Sequence, residues 1–500
     1  MSVMPSTPAE LSPTSALLLQ GGDDRIGLLD GQAFNKYGCR PYPVAACIDF
    51  GSSTASHISA ESFSLLESHQ RRLSAAVAAS SAEQVYAQEL QRLRAQFLSL
   101  WGLQRDATEL IFAASGTDAH LIAARLAETL HGASVSTIST VMIQCEETGS
   151  GVAAALRGQP FSSRTATGRI APGAAQSAGA GGSITHIDVR GPDGSARASA
   201  DVDADFEQAA NRILHQGLPA LVVAVDVSKT GIAAPSFTAL AAMKARWGRQ
   251  LTVLIDACQF RIDAAALRAY LDLGCMVAVT GSKFYAAPSF CGALLVPAEL
   301  ARARQTLQMP PLLQSYSSCA EWPPAWQGAA ELAAIPNMGL LLRWEAALHA
   351  MQDFLQMPSP AAHRIMSTCA SAIRRLLSDD PHFQLLDNDA AASAQTPPAS
   401  IHTFIPCRLT PHRQALDRPD IERLYRRLQS TLQADGRMYL LGQPVQCKGA
   451  GQHSSWALRL CLSAPMIVTA HRAGDVGVAA LIAQAGACLA AVTATIDGLS

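Results

Sequence analysis

The feature that most constrains this chain is an alternation: short apolar runs of strand length recur between stretches suited to helices. The runs lie at 109–114, 141–145, 220–227, 251–255, 276–280 and 292–296, and helix-compatible segments at 119–130, 236–247 and 263–272 separate several of them. Strands this apolar need cover on both faces, which crossover helices of a parallel sheet provide. The predicted fold class is therefore α/β, a mostly parallel sheet with helices on both faces. Upstream, 55–105 has a helical pattern of Leu and Ala set among charged residues and Gln. Residues 1–45, rich in Pro, Ser and Gly, read as an N-terminal arm, and 46–330 as a large domain. A smaller α+β domain is predicted over 331–500, with a long helix at 336–355, a Pro/Ala/Ser-rich stretch at 391–400 and strand-like runs at 401–406 and 456–462. With 500 residues, 49% of them hydrophobic, the chain can bury such a core.

Charge and cysteine usage narrow the function classes. A formal net charge of -2 gives no electrostatic reason to expect nucleic acid or an anionic membrane as partner. The twelve cysteines include no CxxC pair and no zinc-ligand spacing, so no metal is expected, and reduced thiols in a cytoplasmic protein fit best. The start of the chain lacks the basic and apolar regions of a signal peptide. The uncharged run 477–496 is rich in Ala and Gly, with bulk at Val478, Leu481, Ile482, Leu489 and Val492; this spacing predicts the buried face of a terminal helix, not a membrane span. Between 168 and 201 the Gly-rich 173–183 reads as linker, and 184–203 as a hairpin turning at Pro192-Asp193-Gly194. No GxGxxG follows an early strand, which argues against a nicotinamide dehydrogenase. The segment ending at Lys283 is not a P-loop, because Ser282 precedes the lysine and Met276 stands where Gly is needed.

Four segments carry chemistry. Ala113-Ala-Ser-Gly-Thr-Asp-Ala-His120 follows a strand and opens a helix, so Ser115, Gly116 and Thr117 would offer amides and hydroxyls to an anion. Ser and Thr also serve there as ordinary caps. In Leu254-Ile-Asp-Ala-Cys-Gln259 an apolar strand ends in Asp256, at the carboxyl edge where open α/β sheets bind ligands. In Val277-Ala-Val-Thr-Gly-Ser-Lys-Phe284 a lysine follows a buried strand and a turn; desolvating an ammonium is costly, and forming an imine removes that cost. Thr280 and Ser282 add hydroxyls beside it. In Trp456-Ala-Leu-Arg-Leu-Cys-Leu462, Arg459 sits in an apolar strand, either as a fork for a carboxylate or in a structural ion pair.

In this order the four segments resemble fold-type I enzymes that use pyridoxal 5′-phosphate (PLP), and more closely the class V aminotransferase and cysteine desulfurase group. The resemblance covers roughly 48–465, and its most specific piece is the step from Asp256 to Lys283. It implies that Lys283 holds PLP as a Schiff base and that Asp256 keeps the pyridine nitrogen protonated. Gln259 would bond the ring's 3′ oxygen, while Ser115, Gly116, Thr117, Thr280 and Ser282 would hold the phosphate. Ser228-Lys-Thr-Gly231 stands where the family has a Ser-Asn-x-Thr-Gly loop near the cofactor, which brings in Ser228. Arg459 and Ser53, within Asp-Phe-Gly-Ser-Ser-Thr54, would meet the substrate. A homodimer with sites at the subunit boundary is also implied. Two departures stand out. Ser282 replaces a frequent His, and Glu146-Glu-Thr-Gly-Ser150 holds no stacking histidine, leaving Thr148 or Glu147 to serve.

PLP enzymes differ in which bond at the substrate's α carbon breaks. Transamination is the expected reaction, with Lys283 moving the proton. The alternatives are a lyase acting on a carbon–sulfur or other side-chain bond, and a non-catalytic protein on the same scaffold. A desulfurase needs an exposed cysteine nucleophile, for which Cys447 is the candidate.

Overall fold

The computed structural model describes residues 11–131, 138–171, 182–302, 309–386, 399–409, 411–447 and 455–499. Its strands in chain order are β1 (Cys47–Phe50), β2 (Thr108–Ala113), β3 (Ser139–Ile143), β4 (Ile184–Ile187), β5 (Ala220–Val225), β6 (Leu251–Ala257), β7 (Met276–Thr280) and β8 (Gly292–Pro297), then β9 (Phe383–Leu385), β10 (Ile401–Arg408), β11 (Gln414–Ala415), β12 (Met438–Cys447) and β13 (Ser455–Cys461). A seven-stranded sheet runs β2-β8-β7-β6-β5-β3-β4. Strands β7, β6, β5, β3 and β4 pair in parallel; β8 runs antiparallel to both β7 and β2. Every residue of β5, β6, β7 and β8 is buried, which is why these segments read as unbroken apolar runs. The two faces pack into separate cores, one against helix Gly116–Leu130 and one against Ala60–Ala79, Ala82–Leu100 and Met338–Leu355. The α/β architecture matches the sequence expectation.

A second sheet runs β1-β12-β13-β10-β11, with β9 also on β10. Its first strand is β1, parallel to β12, although about 390 positions separate them in the chain. This puts Ser52–Thr54, just past β1, beside the C-terminal strands. Arg261 ties the sheets together: it donates to Ser400 Oγ (2.7 Å), Leu462 O (2.8 Å) and Ser52 Oγ (3.0 Å), and lies 5.1 Å over the Phe284 ring. The Ala464 amide adds a bond to Phe284 O at 2.7 Å. The lysine turn is thereby anchored from both sides.

Some local readings change. The turn at Pro192-Asp193-Gly194 forms, and its flanks pair as a short antiparallel hairpin, Arg190 with Ala196. The Gly191 amide donates to Ser195 O at 2.9 Å and the Arg197 amide to Val189 O at 3.0 Å, but the pairing goes no further. The first arm, β4, joins β3 in parallel, and the second becomes helix Ser199–Leu214. The reason is a period of three to four in Val202, Phe206, Ala209, Ala210 and Leu214, all buried. Most of the Gly-rich 173–183 lies outside the described residues. Helix Ser359–Asp379, buried through Ile365, Met366, Cys369, Ile373 and Leu377, was not expected. The terminal helix Gly474–Asp497 forms and buries Leu481, Leu489 and Val492, while Val478 and Ile482 pack half-buried at the same core. By length and composition it could also cross a membrane, and 28% of its apolar window is buried.

Candidate active site

Strand β6 delivers Asp256 to the carboxyl edge of the large sheet. There the Cys258 amide donates to Oδ1 at 3.0 Å, and His120 Nε2 lies 3.4 Å from Oδ2. His120 sits one turn after Gly116 on helix Gly116–Leu130, and its Nδ1 meets the Gly116 carbonyl at 2.7 Å. A ring nitrogen facing a carbonyl must carry the proton, so Nδ1–H is fixed and Nε2 is left toward the carboxylate. Burial alone would raise the Asp256 carboxyl, but His120, with Lys283 nearby, holds it well below the usual carboxylate range. Burial would likewise lower His120, and Asp256 more than reverses this. The pair is a buried carboxylate facing an imidazole whose hold on its proton it strengthens. Cys258 lies close to both; burial and Asp256 push its thiol far up, and its Sγ donates to Ala278 O (3.8 Å).

The anion loop is built by the same helix. Ser115 is its N-cap, accepting from the Asp118 amide at 3.3 Å while its hydroxyl donates to the Asp118 carboxyl. The first intrahelical bond is Ala119 N to Ser115 O, which leaves the Gly116 and Thr117 amides open to the cleft. Space is tight: a Cβ on Gly116 would lie 2.7 Å from Cys258 Sγ and 3.1 Å from Thr280 Cγ2. A Cβ on Gly292 would meet the Ser115 carbonyl carbon at 2.4 Å. The loop thus rests directly on the ends of β6, β7 and β8, and only glycine allows that approach.

Lys283 occupies the turn after β7. Gly281 N donates to Cys291 O (2.8 Å), Ala287 N to Gly281 O (3.1 Å) and Ala286 N to Lys283 O (2.9 Å). Ala286 (φ 52°), Phe290 (φ 72°) and Phe260 (φ 55°) take left-handed backbone in the surrounding loops, a strain that the packed aromatics beneath hold in place. Among the described residues the Lys283 ammonium has no hydrogen bond and no ion pair. Thr280 Oγ1 donates to Cys258 O (2.8 Å), and Ser282 is buried beside the lysine.

The opposite wall hangs on Glu147, which is buried and ion-paired to Arg190 at 2.7 Å. Its other oxygen accepts from Ser228 Oγ (2.7 Å) and Thr230 Oγ1. Burial would raise the Glu147 carboxyl, but Arg190 and the Thr230 and Ser228 hydroxyls more than offset this and lower it. Glu147 is therefore committed to the 228–231 loop; both residues expected to replace the missing histidine line the cleft, and the Thr148 hydroxyl donates to Cys145 O at 3.4 Å. Ser228 lines the cleft, but its hydroxyl is spent on Glu147 and on the Thr230 and Ile232 amides.

Arg459 enters from β13 and is 2% exposed. It donates to Lys229 O (3.1 Å), Thr54 Oγ1 (3.1 Å) and Gln443 O (2.5 Å), and its Nε has no partner. Gln259 Nε2 donates to Ser53 O at 3.0 Å, leaving Gln259 Oε1 and Ser53 Oγ buried and unpartnered. A Cβ on Gly442 would sit 2.6 Å from Ser53 Oγ and 2.9 Å from Arg459 Nε, so these two atoms converge on one space. No structural ion pair claims the arginine among the described residues.

All twelve residues singled out in the sequence (Ser53, Ser115, Gly116, Thr117, Thr148, Ser228, Asp256, Gln259, Thr280, Ser282, Lys283 and Arg459) line one cleft of about 490 Å³. Among the described residues, five of the thirteen buried side-chain atoms without a hydrogen-bond partner belong to it: Ser53 Oγ, His120 Nε2, Gln259 Oε1, Ser289 Oγ and Arg459 Nε. Buried polar atoms are normally satisfied, so this concentration marks a place built for a polar ligand. Sequence reading missed His120, Lys229 and Arg25, which also line it. The i, i+4 spacing of Gly116 and His120 on a helix that starts at the sheet edge was a usable signal for the first. Cys447 is different: it ends β12, is 1% exposed in an apolar cluster, and burial pushes its thiol up to about 11.

No protein-family model matches the sequence, and no curated protein matches it. Solved structures do. Oryza sativa TDC with PLP and tryptamine is 14% identical at a TM-score of 0.50, the likeness covering 97% of this chain and 90% of that one. A C-DES mutant with glycine covalently linked to its PLP cofactor is 14% identical at a TM-score of 0.50, covering 87% of this chain and 96% of that one. The likeness establishes the fold: this chain is built like these PLP-bound proteins over nearly its whole length.

Proposed function

We propose that this chain is a PLP-dependent enzyme acting on an amino acid or related amine, with Lys283 as the residue that carries the cofactor. One observation supports the reading above the others. At a single sheet edge, a helix N-terminus with open amides, a buried anionic carboxylate and a lysine without a protein partner share one cleft. The residues fit the cofactor. Gly116 and Thr117 amides with Ser115, Thr280 and Ser282 would take its phosphate. Asp256, kept anionic by His120, would hold the pyridine nitrogen in its protonated form. Gln259 Oε1, buried and unpartnered, would face the ring's 3′ hydroxyl, and Thr148 would pack against the ring.

Bound PLP supplies an electron sink for negative charge at the carbon next to the substrate's nitrogen. The chain's own residues decide the rest. Arg459 Nε and Ser53 Oγ would grip the substrate carboxylate, which opposes its loss as carbon dioxide. The Lys283 amine, once displaced by substrate, is free of protein partners and would move the proton. This favours transamination of an amino acid. A lyase would use the same residues without a cysteine nucleophile, because Cys447 is sealed in a core with a raised pKa. A cytoplasmic homodimer with the cleft near the subunit boundary belongs to the same reading.

A panel of amino acids, cysteine included, tests the reaction. One equivalent of the matching keto acid per site, becoming continuous once a second keto acid is added and is itself converted to its amino acid, supports transamination. Release of sulfide, pyruvate or another fragment with the cofactor unchanged would replace it with the lyase reading.

A further inference from the structure

The cleft holds more positive charge than the proposed cofactor uses. Arg25 is paired with Asp23 (2.9 and 3.0 Å), Arg418 with Glu422 (2.9 Å), and Asp256 already faces His120 (3.4 Å). The negative charge of Glu147 is taken by Arg190 (2.7 Å). Setting aside Lys283 and the exposed Lys36, two cations remain, Lys229 and Arg459. They are neighbours, since Arg459 Nη1 donates to the Lys229 carbonyl at 3.1 Å. Neither has a carboxylate within ion-pair distance among the described residues, and the Lys229 ammonium has no hydrogen bond there either. Two adjacent, largely buried cations without counter-charge are costly unless a ligand supplies it.

The phosphate is not that ligand. The anion loop rests on Thr280 at the end of β7, whereas Lys229 follows β5, on the far side of β6. At the usual strand spacing these two ends lie roughly 10 Å apart. Lys229 is also held in place. Its amide donates to Glu147 O at 3.1 Å, and Ser228 and Thr230 on either side are bonded to the Glu147 carboxylate. Burial pulls its pKa down to about 8, helped by Arg459 and Lys283 and opposed by Glu147 and Glu146. It is still mostly cationic at neutral pH.

We infer that Lys229 and Arg459 form a two-cation receptor, and that the substrate is an amino acid carrying a second anionic group besides its α-carboxylate. This rests on the proposed reading of the cleft. A single carboxylate needs only the free edge of Arg459 and Ser53. Lys229 then faces a second carboxylate or an oxyanion of similar charge, which makes it a specificity-determining residue. An amino acid with a neutral side chain would leave a buried ammonium unpaired and bind less tightly.

The test is calorimetric titration of the PLP-loaded protein with glutarate and with butyrate, repeated on Lys229→Met and Lys229→Arg. Glutarate is expected to bind the unaltered protein at least about tenfold more tightly than butyrate. Lys229→Met should remove that preference and leave butyrate within about twofold, and Lys229→Arg should restore much of it. Equal affinities in the unaltered protein overturn the inference whether or not the variants fold, as does a glutarate preference that survives Lys229→Met. Failure of the unaltered protein to take up PLP overturns the cofactor reading instead, whereas normal PLP uptake without glutarate preference overturns only this one.

Discussion

The two ends of the cleft are built in different ways. The end with Asp256, His120, Lys283 and the Ser115–Thr117 loop comes from the ends of β2, β6 and β7 in the large sheet, and its one carboxylate is already matched by His120. The end with Ser53, Lys229, Gln443 and Arg459 is assembled from four distant segments across both sheets, and it keeps unpartnered atoms and uncompensated cations. The first is a finished socket that accepts one shape. The second is a surface whose charges are completed only by what binds, which is where specificity is set.

The difference can be broken from either side. The largest effect is expected at the socket. Asp256→Asn removes the charge facing the pyridine nitrogen and leaves His120 buried without its carboxylate, so kcat should fall by about 10²-fold or more. Folding stability should drop by about 1–3 kcal/mol in urea titrations, because a buried partner loses its ion pair. The folded Asp256 pKa lies below its unfolded value, so this contribution is present above the ordinary Asp range and is lost as pH falls through and below it. The variant should therefore be less sensitive to acid than the unaltered protein. A variant with normal turnover would show that Asp256 is an ordinary strand-end cap. At the other end, Arg459→Gln should leave PLP uptake unchanged and raise KM for the amino acid by about tenfold to a hundredfold. An equal loss of PLP binding would mean that the two ends are not separable.

What was legible in the sequence follows the same divide. Strands β5, β6 and β7 are covered on both faces, so their apolar runs announced them, and Asp256 and Lys283 stood out as the polar residues that end or follow such runs. The substrate end depends on long-range pairing that no local pattern encodes. β1 reaches β12, Arg190 reaches Glu147 across 43 positions, and the resulting network fixes Lys229. Helix Ser199–Leu214 was misread because the preceding Pro-Asp-Gly turn is a strong hairpin signal, and its period of three to four begins only after it. His120 was in view, but its role needs the helix to start at the sheet edge so that its fourth residue swings back over Asp256.

The most direct test of the central claim is to treat the PLP-incubated protein with borohydride and map the modified residue by mass spectrometry of its peptides. The account predicts a pyridoxyl adduct on Lys283, absent from Lys283→Ala, with Lys229 unmodified. An adduct on Lys229, or none on any lysine after full loading, would contradict it.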